Sequence, residues 1–407
     1  MRRVMVLPAL ALILTGMAGA ATFGPSFMAG ATGAPDSPGD VQAQPAPGTQ
    51  LRQRPGAGRE PEFPPPSITE YKPTSTLVVP EHMVPRAKFP VVDIHGHPPQ
   101  FTSASVVKDV VSLMSPLNIQ VMVQTNGVSG ERLQQSLESI AKSGLKDRAV
   151  MFTTVSFSGV GPGWGERAAK QLEADVEAGA LGVGEIGKFL GLNIRKADGT
   201  RLKVDDPELD PFWAAAGRLK IPVFLHLGEP QAFFEPLDHT NERWLEMALF
   251  GNRRFTDRSR YPTFDELMAE RDRMLMKHPD TTFILAHMGW HANDLGRLGK
   301  LFDRLPNLYG EVGAVLYDLG RQPRFGRDFL EKYQDRVLFG KDSFQPDEYP
   351  YYWRVFETRD EYFDYYRDYH AFWKLYGMDL SDDVLKKLYY KNALRIVPGI
   401  PKAGFPE

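Results

Sequence analysis

The chain has 407 residues, 42% of them apolar and 24% charged, with a formal net charge of −3. That is the composition of a soluble globular chain large enough for one substantial core. It has no basic run to suit nucleic acid or an anionic membrane surface. It also has no cysteine, which excludes a disulfide framework and a lipoprotein attachment site.

Met1-Arg-Arg is followed by seventeen uncharged residues, Val4 to Ala20, ending in the small-residue run Ala18-Gly-Ala20-Ala21. A basic start, an apolar run and an Ala-x-Ala site read as a secretory signal peptide over residues 1–20, cleaved near Ala20. The run is short for a spanning helix and contains Pro8, so no stable membrane insertion is expected after cleavage, and the expected location is the periplasm. Residues 21–66 read as a disordered linker, since 14 of the 36 residues in 31–66 are Gly or Pro and supply no core. Residues 67–88 form a lead-in expected to strap the outside of a folded domain over 89–398.

Within that domain eight short apolar runs follow one another, each bounded by turn residues. They are Phe89–His97, Ile119–Gln124, Ala149–Phe157, Leu181–Ile186, Pro222–Leu227, Thr282–Met288, Leu308–Val315, and Arg336–Phe339 leading to Asp342. Segments of helical periodicity lie between them. Leu133, Leu137 and Ile140 mark one over Glu131–Ser143, and Pro262–Lys277 is another, with Thr263 placed to cap it. Continuous Val, Ile, Leu and Phe runs suit parallel strands buried on both faces. Eight of them alternating with helices predict a (β/α)8 TIM barrel. An open doubly wound sheet needs fewer strands, and no Gly-x-Gly-x-x-Gly turn follows the first run.

In that register the ionisable residues collect at strand ends. In Asp93-Ile-His95-Gly-His97, residues two apart share a face, so the two imidazoles leave the first strand side by side. His226 ends the fifth strand and His287 the sixth. Glu185 ends the fourth and Asp342 the eighth. In a barrel these C-terminal strand ends converge on one place. Each residue also has a plainer reading. His226 or His287 can be satisfied by a backbone carbonyl, Asp342 can cap the next element, and Glu185 can pair with Lys188 or Arg195. A shared metal answers the cost of burying all of them together. His82, His239, His278, His291 and His370 read as surface or loop residues, with His239 and His291 as second-choice members of the site.

The motifs Asp93-Ile-His-Gly-His, His226 after strand five, Ala286-His-Met-Gly, Gly340-Lys-Asp-Ser and the closing Val384–Ile396 segment resemble the amidohydrolase superfamily over about residues 85–398. Within it they are most similar to the amidohydrolase-2, or amidohydrolase-related, branch, which includes decarboxylases similar to aminocarboxymuconate semialdehyde decarboxylase. The resemblance implies that His95, His97, His226 and Asp342 are metal ligands. It implies that His287 is a base or electrophile beside the activated water. Gly184-Glu-Ile-Gly is similar to TatD-type members, in which the strand-four Glu bridges two metals. One or two divalent ions are therefore expected, zinc first, with manganese or iron as alternatives.

The implied chemistry is metal-assisted hydrolysis of a small-molecule amide, ester or lactone-like bond. Asp342 takes and returns the proton, and His287 assists at the developing oxyanion. The alternative is non-oxidative decarboxylation of an aromatic or unsaturated acid by the same parts. A non-catalytic metal- or solute-binding barrel is the remaining reading. Lys188, Trp164, Arg243 and Phe344 are the candidate substrate contacts, Arg243 from a long connection, Glu229 to Tyr261, that suits either a lid or an interface in a homo-oligomer. The 14 aromatics between Phe344 and Tyr376 favour core or interface packing for most of them.

Overall fold

The structure, a computed structural model, describes residues 62–406. The signal-peptide reading, and the linker reading up to residue 61, fall outside the described residues. The chain divides into two units, Met1–Ser75 and Thr76–Glu407. The described part of the first is exposed and carries a turn closed by Tyr71 N–H on the Ser67 carbonyl at 3.0 Å.

All eight apolar runs of the second unit become parallel strands: β1 (Val91–Gly96), β2 (Ile119–Val128), β3 (Ala149–Thr153), β4 (Val183–Ile186), β5 (Val223–Leu225), β6 (Phe283–Leu285), β7 (Leu308–Glu311) and β8 (Val337–Leu338). They pair in sequence order, each with the next. The sheet closes on itself where Ile94 N–H reaches the Phe339 carbonyl at 3.2 Å and Asp342 N–H reaches the His95 carbonyl at 2.9 Å. This is the expected (β/α)8 barrel. Its outer helices include α1 (Ala104–Met114), α2 (Gly130–Ser143), α3 (Trp164–Ala178), α4 (Asp210–Leu219), α5 (Trp244–Leu249), α6 (Phe264–Lys277), α7 (Leu295–Arg304), α8 (Leu316–Gly320), α9 (Pro323–Lys332) and α10 (Tyr349–Glu357). Among the described residues no helix is long and apolar enough to cross a membrane.

Local chemistry sets the element ends. Thr263 caps α6 in a reciprocal box with Glu266, a feature that contributes about 1 kcal/mol. β7 ends earlier than its apolar run because Gly313 and Ala314 turn the chain, Ala314 in the left-handed region at φ 50°. Residues 76–90 run without regular structure ahead of β1. They are held by Ala87 N–H on the Leu117 carbonyl at 3.2 Å and by His82, whose backbone N–H and Nδ1 both meet Asp360. His278, His291 and His370, read from sequence as surface or loop residues, are buried. Each has a partner the sequence did not show: Asp210 for His278, Arg271 for His291 and Glu246 for His370.

Candidate metal centre

The C-terminal strand ends bring His95, His97, Glu185, His226, His287 and Asp342 together. Alternation along β1 turns Val92 and Ile94 to one face and Asp93 and His95 to the other. Asp93 is buried and ties down the strand end, accepting His95 N–H at 3.0 Å and the Tyr349 hydroxyl at 2.6 Å. His95 and His97 follow with ring centroids 5.1 Å apart.

Glu185 stands between the imidazoles. One of its oxygens lies 3.3 Å from His95 Nε2 and also meets His226 Nδ1; the other lies 3.3 Å from His97 Nε2. Asp342 approaches the same two nitrogens from β8, at 3.5 Å and 3.7 Å. Three overlapping groups have ligand-type atoms close enough to share an ion: His95 with His97 and Asp342; Glu185 with His226 and His287; and His95 with His287 and Glu311.

The far side of each ring fixes what its near side can do. His95 Nδ1 lies 3.0 Å from Glu311, a fully buried carboxylate at the end of β7, so Nδ1 carries the proton and Nε2 is bare. Asn126 accepts from His97 Nδ1 through its side-chain oxygen, because its nitrogen donates to the Pro98 carbonyl. His97 Nε2 is therefore bare as well. His287 Nδ1 donates to the Gly313 carbonyl at 2.8 Å, which turns a bare Nε2 to His226 Nδ1 at 3.3 Å. Two bare imidazole nitrogens and two carboxylates thus face one small volume. All are acceptors, and His95 Nε2 is buried with no hydrogen-bond partner. Acceptors crowded in this way repel unless a cation stands among them, and neutral imidazole with carboxylate is the donor set of a zinc-, manganese- or iron-type ion. The residues fit a divalent metal.

Without an ion, the same crowding of carboxylates calls for a proton in its place. Burial alone would push the His95 ring down, but Glu311 and Glu185 outweigh it and raise its pKa well above the usual value. Burial likewise opposes the charge on Glu185 and on Asp342. Histidines hold both below the ordinary carboxylate range, His226 and His95 acting on Glu185, and His95 above all on Asp342. His287 differs. Burial and then His226 hold its pKa well below the usual value, so it is neutral.

His287 begins a run of four left-handed residues, His287, Met288, Gly289 and Trp290, with φ between 52° and 63°. Only one is glycine, so the run is strained and needs outside support. Arg271, fully buried in α6, donates to the Gly289 carbonyl at 2.9 Å, and Trp290 stacks on the His287 ring at 4.4 Å.

The candidate substrate contacts and second-choice histidines each have surroundings of their own. Trp164 is buried at the start of α3 and stacks on Phe157. Arg243 is buried, forks onto Glu246 and lies 4.2 Å over the Tyr317 ring. Phe344 is buried against Tyr349. Lys188 pairs with Glu229 at 2.6 Å. His239 is exposed, and His291 contacts Arg271 instead of the cluster. Glu311 and Asn126 were not identified from sequence. Glu311 sat inside an apolar run read as one strand. An acid in such a run was the available signal, the same one that marked Glu185.

A family model described as "Amidohydrolase" matches residues 92–399. No curated protein matches the chain. Similar solved structures include an uncharacterised TIM-barrel protein from Bordetella bronchiseptica, 18% identical, covering 75% of this chain and 97% of that one with a TM-score of 0.47. A 2,6-dihydroxybenzoate decarboxylase from Rhizobium is 17% identical, covering 76% and 98%, with a TM-score of 0.44. A dihydroxybenzoic acid decarboxylase from a Polaromonas species, with bound manganese and 2-nitroresorcinol, is 16% identical, covering 76% and 97%, with a TM-score of 0.46.

Proposed function

The chain belongs to the amidohydrolase family, and on that premise we propose that it is a metal-dependent hydrolase acting on an amide, ester or lactone-like bond of a small molecule. The observation that carries this reading is the convergence of His95 Nε2, His97 Nε2, Glu185 and Asp342 on one volume, with each imidazole's other nitrogen already committed. His95, His97 and Asp342 would hold a first divalent ion. Glu185 and His226 would complete its shell or share a second ion.

When bound, such an ion lowers the pKa of water toward neutrality and polarises a substrate carbonyl. The remaining work falls to the chain. Asp342 is kept ionised by its histidine neighbours, so it can take the proton of the attacking water and later return it to the leaving group. His287 is neutral with Nδ1–H committed to Gly313, so Nε2 is an acceptor. That geometry supports a base which orients water or receives a proton, and it does not supply an N–H for an oxyanion. Glu311, Asn126 and Asp93 act through the residues they hold.

Elemental analysis of the purified protein is the first test. Close to one equivalent of a divalent transition metal supports the His95/His97/Asp342 set, and close to two brings in Glu185 as a bridge. Protein that takes up none on reconstitution refutes the reading. A substrate panel then separates the chemistries. Acid release from esters, lactones or amides supports hydrolysis, whereas carbon dioxide release from aromatic or unsaturated acids replaces it with decarboxylation.

A further inference from the structure

A second concavity, of about 710 Å³, opens between the β4–α4 connection, the connection from β5 to α6, and the first turns of α6. Its walls hold six cationic side chains and two carboxylates, Glu266 and Glu270. In the whole chain 48 Lys and Arg are outnumbered by 51 Asp and Glu, so this cleft runs against the average charge. Both connections leave the strand ends that carry Glu185 and His226.

The few acids near this cleft are already engaged. Arg201 forks onto Glu270, and Arg273 meets Asp205 at 2.6 Å. Glu266 closes the capping box on Thr263 and feels the charges of Arg201 and Arg258, while Asp257 accepts from Ser259 and feels the charge of Arg260, though neither touches a guanidinium directly. Four cations are left without a carboxylate in contact among the described residues: Arg195, Lys203, Arg258 and Arg260. Arg258 is the most constrained of them. Its guanidinium is pinned by the Pro262 and Phe234 carbonyls at 2.6 Å and 2.5 Å, which fix its position without neutralising its charge. Arg260 lies 5.3 Å over the Tyr261 ring.

We propose that this cleft binds a small polyanion, a molecule carrying two or more carboxylate or phosphate groups. Concave walls with an excess of positive charge focus their field and concentrate anions. Guanidinium groups recognise carboxylate and phosphate through paired hydrogen bonds, and a partly fixed guanidinium loses less entropy in doing so. The volume is that of a small-molecule site, larger than a single inorganic ion requires. The assignment is independent of the metal chemistry proposed above.

Titration calorimetry on the full chain at low ionic strength tests it, with pyrophosphate and benzene-1,3,5-tricarboxylate as the two probes. Binding of either is expected to weaken by about tenfold or more in the Arg195→Ser/Lys203→Ser/Arg260→Ser variant, and to weaken with added salt. All three positions are exposed, so the fold should survive, which circular dichroism checks. The His97→Asn variant should bind the probes unchanged, because the cleft does not include the metal centre. If pyrophosphate alone binds at the cleft, the ligand is phosphate-bearing; if the tricarboxylate alone binds, it is a carboxylic acid. The proposal is overturned by absence of binding at millimolar probe, by unchanged binding in the triple variant, by loss in His97→Asn, or by a cleft that takes poly-glutamate and ignores both small anions.

Discussion

Glu311→Gln is the most informative single change, because it keeps the side chain's shape and alters only what it accepts. The Glu311 carboxylate receives three buried N–H groups: His95 Nδ1–H at 3.0 Å, His287 N–H at 3.1 Å, and Gly313 N–H. A glutamine has one acceptor oxygen, so its amide nitrogen must face at least one of these donors. Leaving a buried donor unsatisfied costs about 1–3 kcal/mol, and the bond to His95 also loses its charge assistance. If the amide nitrogen faces His95, the ring's proton moves to Nε2 and blocks the nitrogen that points at Glu185 and Asp342. Loss of such a supporting partner typically lowers metal affinity by about 10–100-fold, or about 1.4–2.8 kcal/mol. Urea unfolding of the metal-free protein and competition with a chromophoric chelator measure the two effects separately. Both should fall. A folded Glu311→Gln protein with unchanged metal affinity would refute the claim that Glu311 sets the tautomer of His95.

Three further changes probe other parts of the argument. Gly340→Ala places a Cβ 2.5 Å from Glu311 and 2.6 Å from the His95 Cβ, so it should destabilise by about 1–3 kcal/mol and weaken metal binding together; an effect on stability alone would mean the site adapts. His287→Asn should keep the metal, by elemental analysis, while turnover falls by at least about 100-fold; full activity would remove His287 from the mechanism. Burial raises the Asp318 carboxyl to about 6, against the opposing pull of Arg321 and Arg243. Between roughly pH 4 and 6 the folded state therefore keeps a proton that the unfolded chain has released. This contribution makes stability fall as pH rises through that window, with a cost of at most about 3 kcal/mol fully present above it. Asp318→Asn should consequently look more favourable at pH 7.5 than at pH 4 in urea unfolding. Equal effects at the two pH values would show that the charge is not penalised.

The eight strands were legible because a strand buried on both faces must be a continuous apolar run, and their order fixed which residues sit at the mouth. The same logic located His95, His97, Glu185, His226, His287 and Asp342, since a polar side chain at the end of such a run is conspicuous. It passed over Glu311 because the run was taken through to Val315, which left the acid looking internal to a strand; the turn at Gly313 and Ala314 puts it at the end. Asn126 carries no charge and gave no signal. His278, His291 and His370 were read as surface residues because the partners that make their burial tolerable come from other elements, as Asp210 does for His278. Arg243 had its partner three positions on, in Glu246, but spacing alone did not reveal that the pair turns inward over Tyr317.

The barrel's seam lies at the site itself. Asp342 N–H bonds to the carbonyl of His95, so one hydrogen bond joins the first strand's histidine to the last strand's acid. The two come from opposite ends of the domain, and closing so long a loop is an entropic cost met only once the intervening strands are in place. A chain stopped short of β8 keeps His95 and His97 but has no Asp342 beside them. An ion held by this set would therefore be captured late in folding, and its free energy would stabilise ring closure more than early collapse. During refolding, uptake of the ion would time the moment at which the two ends of the domain meet.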